Sequence, residues 1–199
     1  MDHHLSINAG EGRDVDRVTL VDTFDEPIGI ADKLLAHEQG LLHRAFSLFI
    51  VDGDHMLLHQ RALGKYHSGG KWTNACCSHP RPGESVEQAI IRRAQTELGL
   101  TADDYTALPK FVDSFVYRGE VEWLIEYEYD HIYIATVPIT HDFDPDPEEV
   151  AAISWASFDD LADSLRTEPD MYSVWFLTAA PRVLSYLRKA PAKNAGNIR

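Results

Sequence analysis

From Trp72 to Gly99 the chain runs from an extended segment carrying two cysteines and a histidine straight into a helix with clear start and stop signals, and this stretch constrains the fold more than any other. Alternate side chains of an extended segment share a face. Thr73, Ala75, Cys77 and His79 therefore project one way, and Asn74, Cys76 and Ser78 the other. A thiol is thus set beside a metal-type ligand. Taken alone, a Cys-Cys pair is more often a small buried hydrophobe, so its meaning depends on the residues C-terminal to it. Ser85-Val86-Glu87-Gln88 has the form of a capping box. Val86, Ala89, Ile90, Ala94 and Leu98 recur at helical spacing, and Gly99 is a natural stop.

Shorter signals surround this unit. Arg17 to Asp22 reads as a strand that Asp25-Glu26-Pro27 turns back into Ile28-Gly29-Ile30, and Lys33 to His37 reads as a short helix. Ala45 to Val51 and Met56 to Gln60 read as a hairpin turning at Asp52-Gly53-Asp54, followed by an irregular loop from Gly64 to Lys71. Phe111 to Tyr117 and Glu122 to Val137 read as strands paired across Arg118-Gly119-Glu120. Next come an acidic, Pro-rich loop from Asp142 to Glu149, a short strand from Ala152 to Ala156, a helix from Asp159 to Arg166 with an Asp start, and a last helix from Tyr172 to Leu187. Mixed strands with few helices, and no repeating βαβ order, predict an α+β sandwich. With 199 residues and 44% apolar content the chain supports one core. The expected organisation is a flexible N-terminal segment over 1–16, one domain over 17–188 and a flexible tail over 189–199.

Adjacent cysteines are poorly placed to bridge each other, and no spaced cysteine pairs outline a disulfide framework or a four-thiolate zinc site. A reducing cytoplasm fits best. Residues 1–17 lack the basic start and apolar core of a signal peptide, and no apolar run reaches membrane-spanning length. The net charge of −14 disfavours nucleic acid as a partner. A small anionic substrate stays admissible if bound cations and clustered Arg and Lys reverse the field locally.

Glu84, Arg92, Glu97 and Gly99-Leu100 resemble the Nudix box, a loop and helix that gather carboxylates around magnesium beside a diphosphate. The pattern departs where Ser78 replaces Gly and where Arg93 and Thr96 replace Glu. Together with Thr73 to Pro80, Arg92-Arg93 and Glu97-Leu98-Gly99, these departures resemble type I isopentenyl-diphosphate isomerase, a Nudix-fold family. Gly40 to Ser47, Gln60-Arg61-Ala62, Lys65, Glu126-Tyr127-Glu128 and Trp175 match that family in the same order, so the resemblance spans roughly Val18 to Arg188. It implies a Nudix-like sandwich, a mixed β-sheet packed between helices.

His37, His43 and His79 offer imidazoles, and Glu126 and Glu128 alternate onto one strand face. Such donors suit a divalent ion, and zinc, manganese and magnesium all stay open. The reaction implied by the resemblance is the shift of the double bond of isopentenyl diphosphate to give dimethylallyl diphosphate, with a proton added on one side and removed on the other. The resemblance assigns Cys77 and Glu128 to that pair, Trp175 to stabilising the carbocation-like species, and Tyr117 to steadying the carboxylate. It further implies a second cation, magnesium, held with the diphosphate by Glu97, and Lys33, Arg61, Lys65 and Arg93 as diphosphate ligands. Glu148 and Glu149 read as a solvated acidic turn outside the site. Two rivals are a Nudix pyrophosphohydrolase, which Arg93 and Thr96 oppose, and a non-catalytic metal- or diphosphate-binding module, which needs neither Cys77 nor Trp175.

Overall fold

The computed structural model describes residues 17–65 and 67–189. The expected segment 1–16 and, apart from Lys189, the expected tail lie outside the described residues. In chain order the elements are β1 (Arg17–Val21), β2 (Pro27–Asp32), α1 (Lys33–Gln39), β3 (His43–Asp52), β4 (His55–Arg61), β5 (Trp72–Asn74), β6 (Cys76–Ser78) and α2 (Val86–Leu98). Beyond α2 lie β7 (Ala107–Val121), β8 (Leu124–Thr136), β9 (Val150–Ser157), α3 (Phe158–Thr167) and α4 (Val174–Lys189). The architecture is an α+β sandwich in which a mixed sheet lies between helices, and among the described residues no helix is long and apolar enough to cross a membrane.

β3 organises the sheet. It runs parallel to β8 from His43 to Val51, and antiparallel to β6 on its other side. Its side chains alternate between two cores. Phe46, Leu48 and Ile50 join Ala89, Ile90, Ala94 and Leu98 of α2, whereas Phe49 and Val51 join Trp175, Phe176 and Ala179 of α4. Phe46, Leu48, Phe49 and Ile50 are completely buried, and each such side chain stabilises the fold by about 1.5–3 kcal/mol. A strand buried on both faces reads as a continuous apolar run, as Ala45 to Val51 does.

Local signals held where chemistry is local. The Ser85 side chain accepts from the Gln88 amide while the Gln88 side chain accepts from the Ser85 amide, so the capping box forms and α2 ends at Gly99 with φ of 73°. Asp32 caps α1 by accepting from the Leu35 amide. Tertiary pairing shortens one expected hairpin and corrects two further readings, and a local cap corrects a third. The β3–β4 hairpin pairs only at Val51–Met56 and Asp52–His55 before its strands separate, β3 to β8 and β6, and β4 to β5 and β9. Arg118-Gly119-Glu120 is not a turn. Those residues stay in the ladder opposite Tyr127, Glu126 and Ile125, and the chain reverses at Glu122-Trp123, where Glu122 takes φ of 56° as a two-residue hairpin loop requires. Trp72 to Ser78 is not one strand either. It breaks at Ala75, because β5 pairs with β4 and β6 with β3. Finally, α3 is capped by Ser157 and not by Asp159, with β9 running directly into it.

Gly99 and Gly53 both have positive φ, which favours glycine. A Cβ at Gly99 would sit 3.0 Å from the backbone oxygen of Asp144, whereas one at Gly53 meets nothing within 4 Å. Gly53→Ala should cost about 1 kcal/mol from the backbone alone. Gly99→Ala should cost more, read as a larger drop in Tm, and equal drops would contradict the close packing of α2 against the 142–149 loop.

Candidate active site

Register, not proximity in sequence, assembles the site. On β8 the buried positions alternate, which puts Glu126, Glu128 and Asp130 on one face. The parallel ladder sets His43 opposite Glu128, and the β7–β8 ladder sets Tyr117 opposite the same residue. β6 brings Cys77 opposite Ser47 on β3, with His79 just beyond its end. α1 supplies Lys33 and His37 from one face, α2 supplies Arg93 and Glu97 one turn apart, and the start of α4 supplies Trp175.

These residues surround one cavity of about 300 Å³. Lys33, His37, Arg61, Lys65, Cys77, His79, Arg93, Glu97, Tyr117, Glu126, Glu128 and Trp175 all line it, and His43 lies buried beneath. Every site residue expected from sequence is therefore in or directly under one cavity. The parity of Cys77 with His79 holds, and Cys76 turns instead into the core against α2.

The donor atoms of His37, His43, His79 and Glu128 lie within 4.8 Å of one another. His43 Nδ1 is 2.8 Å from the Leu41 carbonyl and His37 Nδ1 is 2.7 Å from the Lys33 carbonyl. Those carbonyls accept the Nδ1 protons and leave Nε2 of each ring as the inward ligand atom. His43 Nε2 lies 3.2 Å from His79 Nε2 and 3.5 Å from Glu128 Oε1, and His79 Nε2 lies 2.8 Å from that same oxygen. Oε1 of Glu126 is buried without a well-formed hydrogen bond, and Oε2 is 3.6 Å from His37 Nε2. Converging imidazole lone pairs beside carboxylate oxygens fit a divalent cation, which would neutralise the carboxylates and take up the lone pairs at once.

Burial disfavours the Glu128 anion, yet its close contacts with the His43 and His79 ring nitrogens outweigh it and hold the carboxyl well below its usual range. Glu126 moves the other way, raised by burial and by the neighbouring Glu128 charge. Tyr117 donates to Glu128 Oε2 at 2.6 Å, and burial keeps that phenol protonated. Burial likewise pushes the Cys77 thiol up, so it is held uncharged. Arg93 Nη2 is 2.5 Å from Glu97 Oε1, an i to i+4 ion pair on α2 that also lines the cavity.

The cavity wall also includes Glu149, His59 and His67, which the sequence reading left out of the site. Glu149, expected in a solvated turn, instead pairs with the Lys65 ammonium and lies 3.4 Å from Arg93 Nη2. Its backbone oxygen accepts from the Ala62 amide, which folds the acidic loop onto the end of β4. His59 and His67 also line the cavity. His59 sits two residues before Arg61 on the same strand, a period-2 signal that could have flagged it; His67 lies in an irregular loop with no such period.

Asp130 adds a third buried carboxylate. Ser47 Oγ donates to its Oδ2 at 2.8 Å, and burial with the adjacent Glu128 charge raises its pKa to about 8. A folded pKa above the unfolded value near 3.8 means that stability is fully present below the unfolded pKa and is lost as pH rises through the folded one. In chelator, Asp130→Asn, which keeps an acceptor for Ser47, should gain Tm over the wild type, and more at about pH 8.5 than at about pH 6. Parallel Tm curves over that range would contradict the raised pKa.

The NUDIX domain model matches residues 41–176. A Burkholderia multivorans protein named isopentenyl-diphosphate Delta-isomerase is 46% identical over 163 residues, covering 81% of this chain and 89% of its own. A Serratia proteamaculans protein of the same name is 47% identical over 163 residues, covering 80% and 86% respectively. Among solved structures, DR0079 from Deinococcus radiodurans superposes with a TM-score of 0.66 at 18% identity, covering 83% of this chain and 98% of that one. The Nudix hydrolase RenU from M. smegmatis superposes at 0.56 and 19% identity, covering 93% and 99%; both likenesses concern the fold. With the fold, the sequence match and the cavity in agreement, the chain belongs to the isopentenyl-diphosphate Delta-isomerase family of NUDIX-domain proteins.

Proposed function

We propose that this protein converts isopentenyl diphosphate into dimethylallyl diphosphate, moving one carbon–carbon double bond and leaving the diphosphate intact. The observation that carries the reading is one cavity lined by an uncharged thiol, an ionised carboxylate and an indole together with Lys33, Arg61, Lys65 and Arg93. The names of the relatives support the same substrate. The two free cysteines support a reducing compartment, the cytoplasm.

The chemistry needs a proton placed on the terminal alkene carbon and another taken from the neighbouring methylene, so atoms and charge balance with one proton in and one out. Cys77 and Glu128 serve as that pair. Each donates in one direction of the reaction and accepts in the other. Tyr117 fixes the orientation of Glu128 through its 2.6 Å hydrogen bond. Trp175 faces the cationic carbon, a contribution of about 0.5–2 kcal/mol without a nucleophile that would trap it. Lys33, Arg61, Lys65 and Arg93 hold the diphosphate, the guanidiniums as two-pronged donors and the ammoniums as point charges. His37, His43, His79, Glu126 and Glu128 would hold one divalent ion and Glu97 a magnesium brought with the diphosphate, which supply positive charge that steadies Glu128 and offsets the phosphates.

Hydrolysis is the weaker reading. A water-activating cluster needs carboxylates at Arg93 and Thr96, and Thr96 is exposed with its hydroxyl bonded back to the Arg92 carbonyl at 2.9 Å.

Incubation with isopentenyl diphosphate and magnesium in deuterated water, followed by NMR, tests the proposal. Dimethylallyl diphosphate with deuterium in its new methyl group is expected, and Cys77→Ala should lose turnover by about 100-fold or more while retaining metal. Phosphate release with no double-bond shift would sink the isomerase reading.

A further inference from the structure

The loop joining β4 to β5 folds inward over the cavity. Its base is pinched by hydrogen bonds from the Arg61 amide to the Lys71 carbonyl at 2.9 Å and from the Gly70 amide to the Arg61 carbonyl at 3.0 Å. Within it Gly69 passes so close to Leu63 that a Cβ would stand 2.7 Å from the Leu63 carbonyl oxygen. This tight return turns His67 into the protein, where it is 6% exposed and lines the cavity.

The imidazole meets both halves of the site. Its Nε2 lies 3.2 Å from Glu126 Oε1, the buried carboxylate oxygen that has no well-formed hydrogen bond. Its ring stands edge-on to Trp175, with centroids 5.9 Å apart and planes at 85°, and stacks at 6.3 Å and 28° with His37. Arg61 Nη2 donates to the His67 carbonyl at 3.3 Å while its guanidinium lies 5.2 Å from the Trp175 ring centroid. His67 thus bridges a carboxylate beside the imidazole cluster and the indole on the cavity wall. Edge-to-face rings resist sliding because the positive edge of one meets the electron-rich face of the other.

We propose that His67 is a positioning residue for the isomerisation: its imidazole fixes Oε1 of Glu126 and braces the Trp175 ring, so that the imidazole and carboxylate cluster and the indole keep one spacing. The role rests on the isomerase reading above. Partners that orient a ligating carboxylate typically govern metal affinity by about 10–100-fold, and a misplaced indole lowers turnover more than substrate affinity because Arg61 is bonded to the His67 backbone carbonyl, which a side-chain substitution leaves in place.

Two substitutions separate the contacts. His67→Phe keeps a ring beside Trp175 and removes the donor, whereas His67→Gln keeps an N–H donor and removes the ring. The full-length chain is stripped of metal, Mn2+ affinity is titrated directly, and kcat and KM are measured with isopentenyl diphosphate and magnesium. His67→Phe should weaken Mn2+ binding by about 10-fold, and His67→Gln should restore it to within about twofold while kcat stays down by about 10-fold and KM moves by less than about twofold. Mn2+ affinity and kcat of His67→Phe both within about twofold of the wild type would overturn the proposal. So would a rise in KM alone, which would make His67 a diphosphate contact, or a failure of Gln to restore Mn2+ binding, which would make the loss one of packing. If the wild-type chain binds Mn2+ but moves no double bond, the isomerase reading fails, and the Mn2+ titrations still decide the Glu126 contact.

Discussion

The parallel ladder between β3 and β8 sets His43 opposite Glu128, and the remaining geometry depends on that pairing. Side chains on a strand have period 2, so a one-residue slip of β8 would turn Glu126 and Glu128 away from the cavity and move Ile132 out of its own core. Such a slip is opposed by both cores at once, because β3 is apolar on each face and β8 contributes Ile132 to one core and Tyr133 and Ala135 to the other. Hydrophobic packing therefore holds in place a cluster of buried ionisable groups that would be costly on its own. Glu128 is the point of convergence. Tyr117, His43 and His79 all reach it, and the same carboxylate is shared between the imidazole cluster and the proposed proton transfer.

Charges of both signs meet in the cavity. Glu126, Glu128 and the imidazoles line the same cavity as the cations Arg61, Lys65 and Arg93. In a chain of net charge −14 these cations are a local reversal, which Glu97 and Glu149 offset by pairing with Arg93 and Lys65. This explains why Glu149 belongs to the cavity although it sits in an acidic, Pro-rich stretch of sequence. A diphosphate held as proposed would bring more charge than one carboxylate, and magnesium beside Glu97 would let both persist.

How much of this was legible in the sequence depended on the range of the interaction. The cap of α2, its Gly99 stop and the alternation of Cys77 with His79 are decided by residues within one turn or two strand positions, and the structure agrees with each. The break at Ala75, the splayed β3–β4 hairpin and the reversal at Glu122-Trp123 depend on which distant strand supplies backbone partners, which no local pattern encodes. The resemblance to a family supplied what periodicity could not, namely that Arg61, Glu97, Tyr117 and Trp175 share one cavity. His67 and Glu149 escaped both routes, since irregular loops carry no period and their inward turn rests on contacts with β4 and β8.

The central claim is that His37, His43, His79 and Glu128 form one cation site within the cavity that also holds Cys77. Crystals grown with Mn2+ and with Zn2+, measured for anomalous scattering, test it most directly. The account predicts one peak at coordination distance, about 2.0–2.2 Å, from Nε2 of all three histidines and from a Glu128 oxygen. Anomalous density only beside Glu97, or a peak on the histidines with Glu128 turned away, would contradict it.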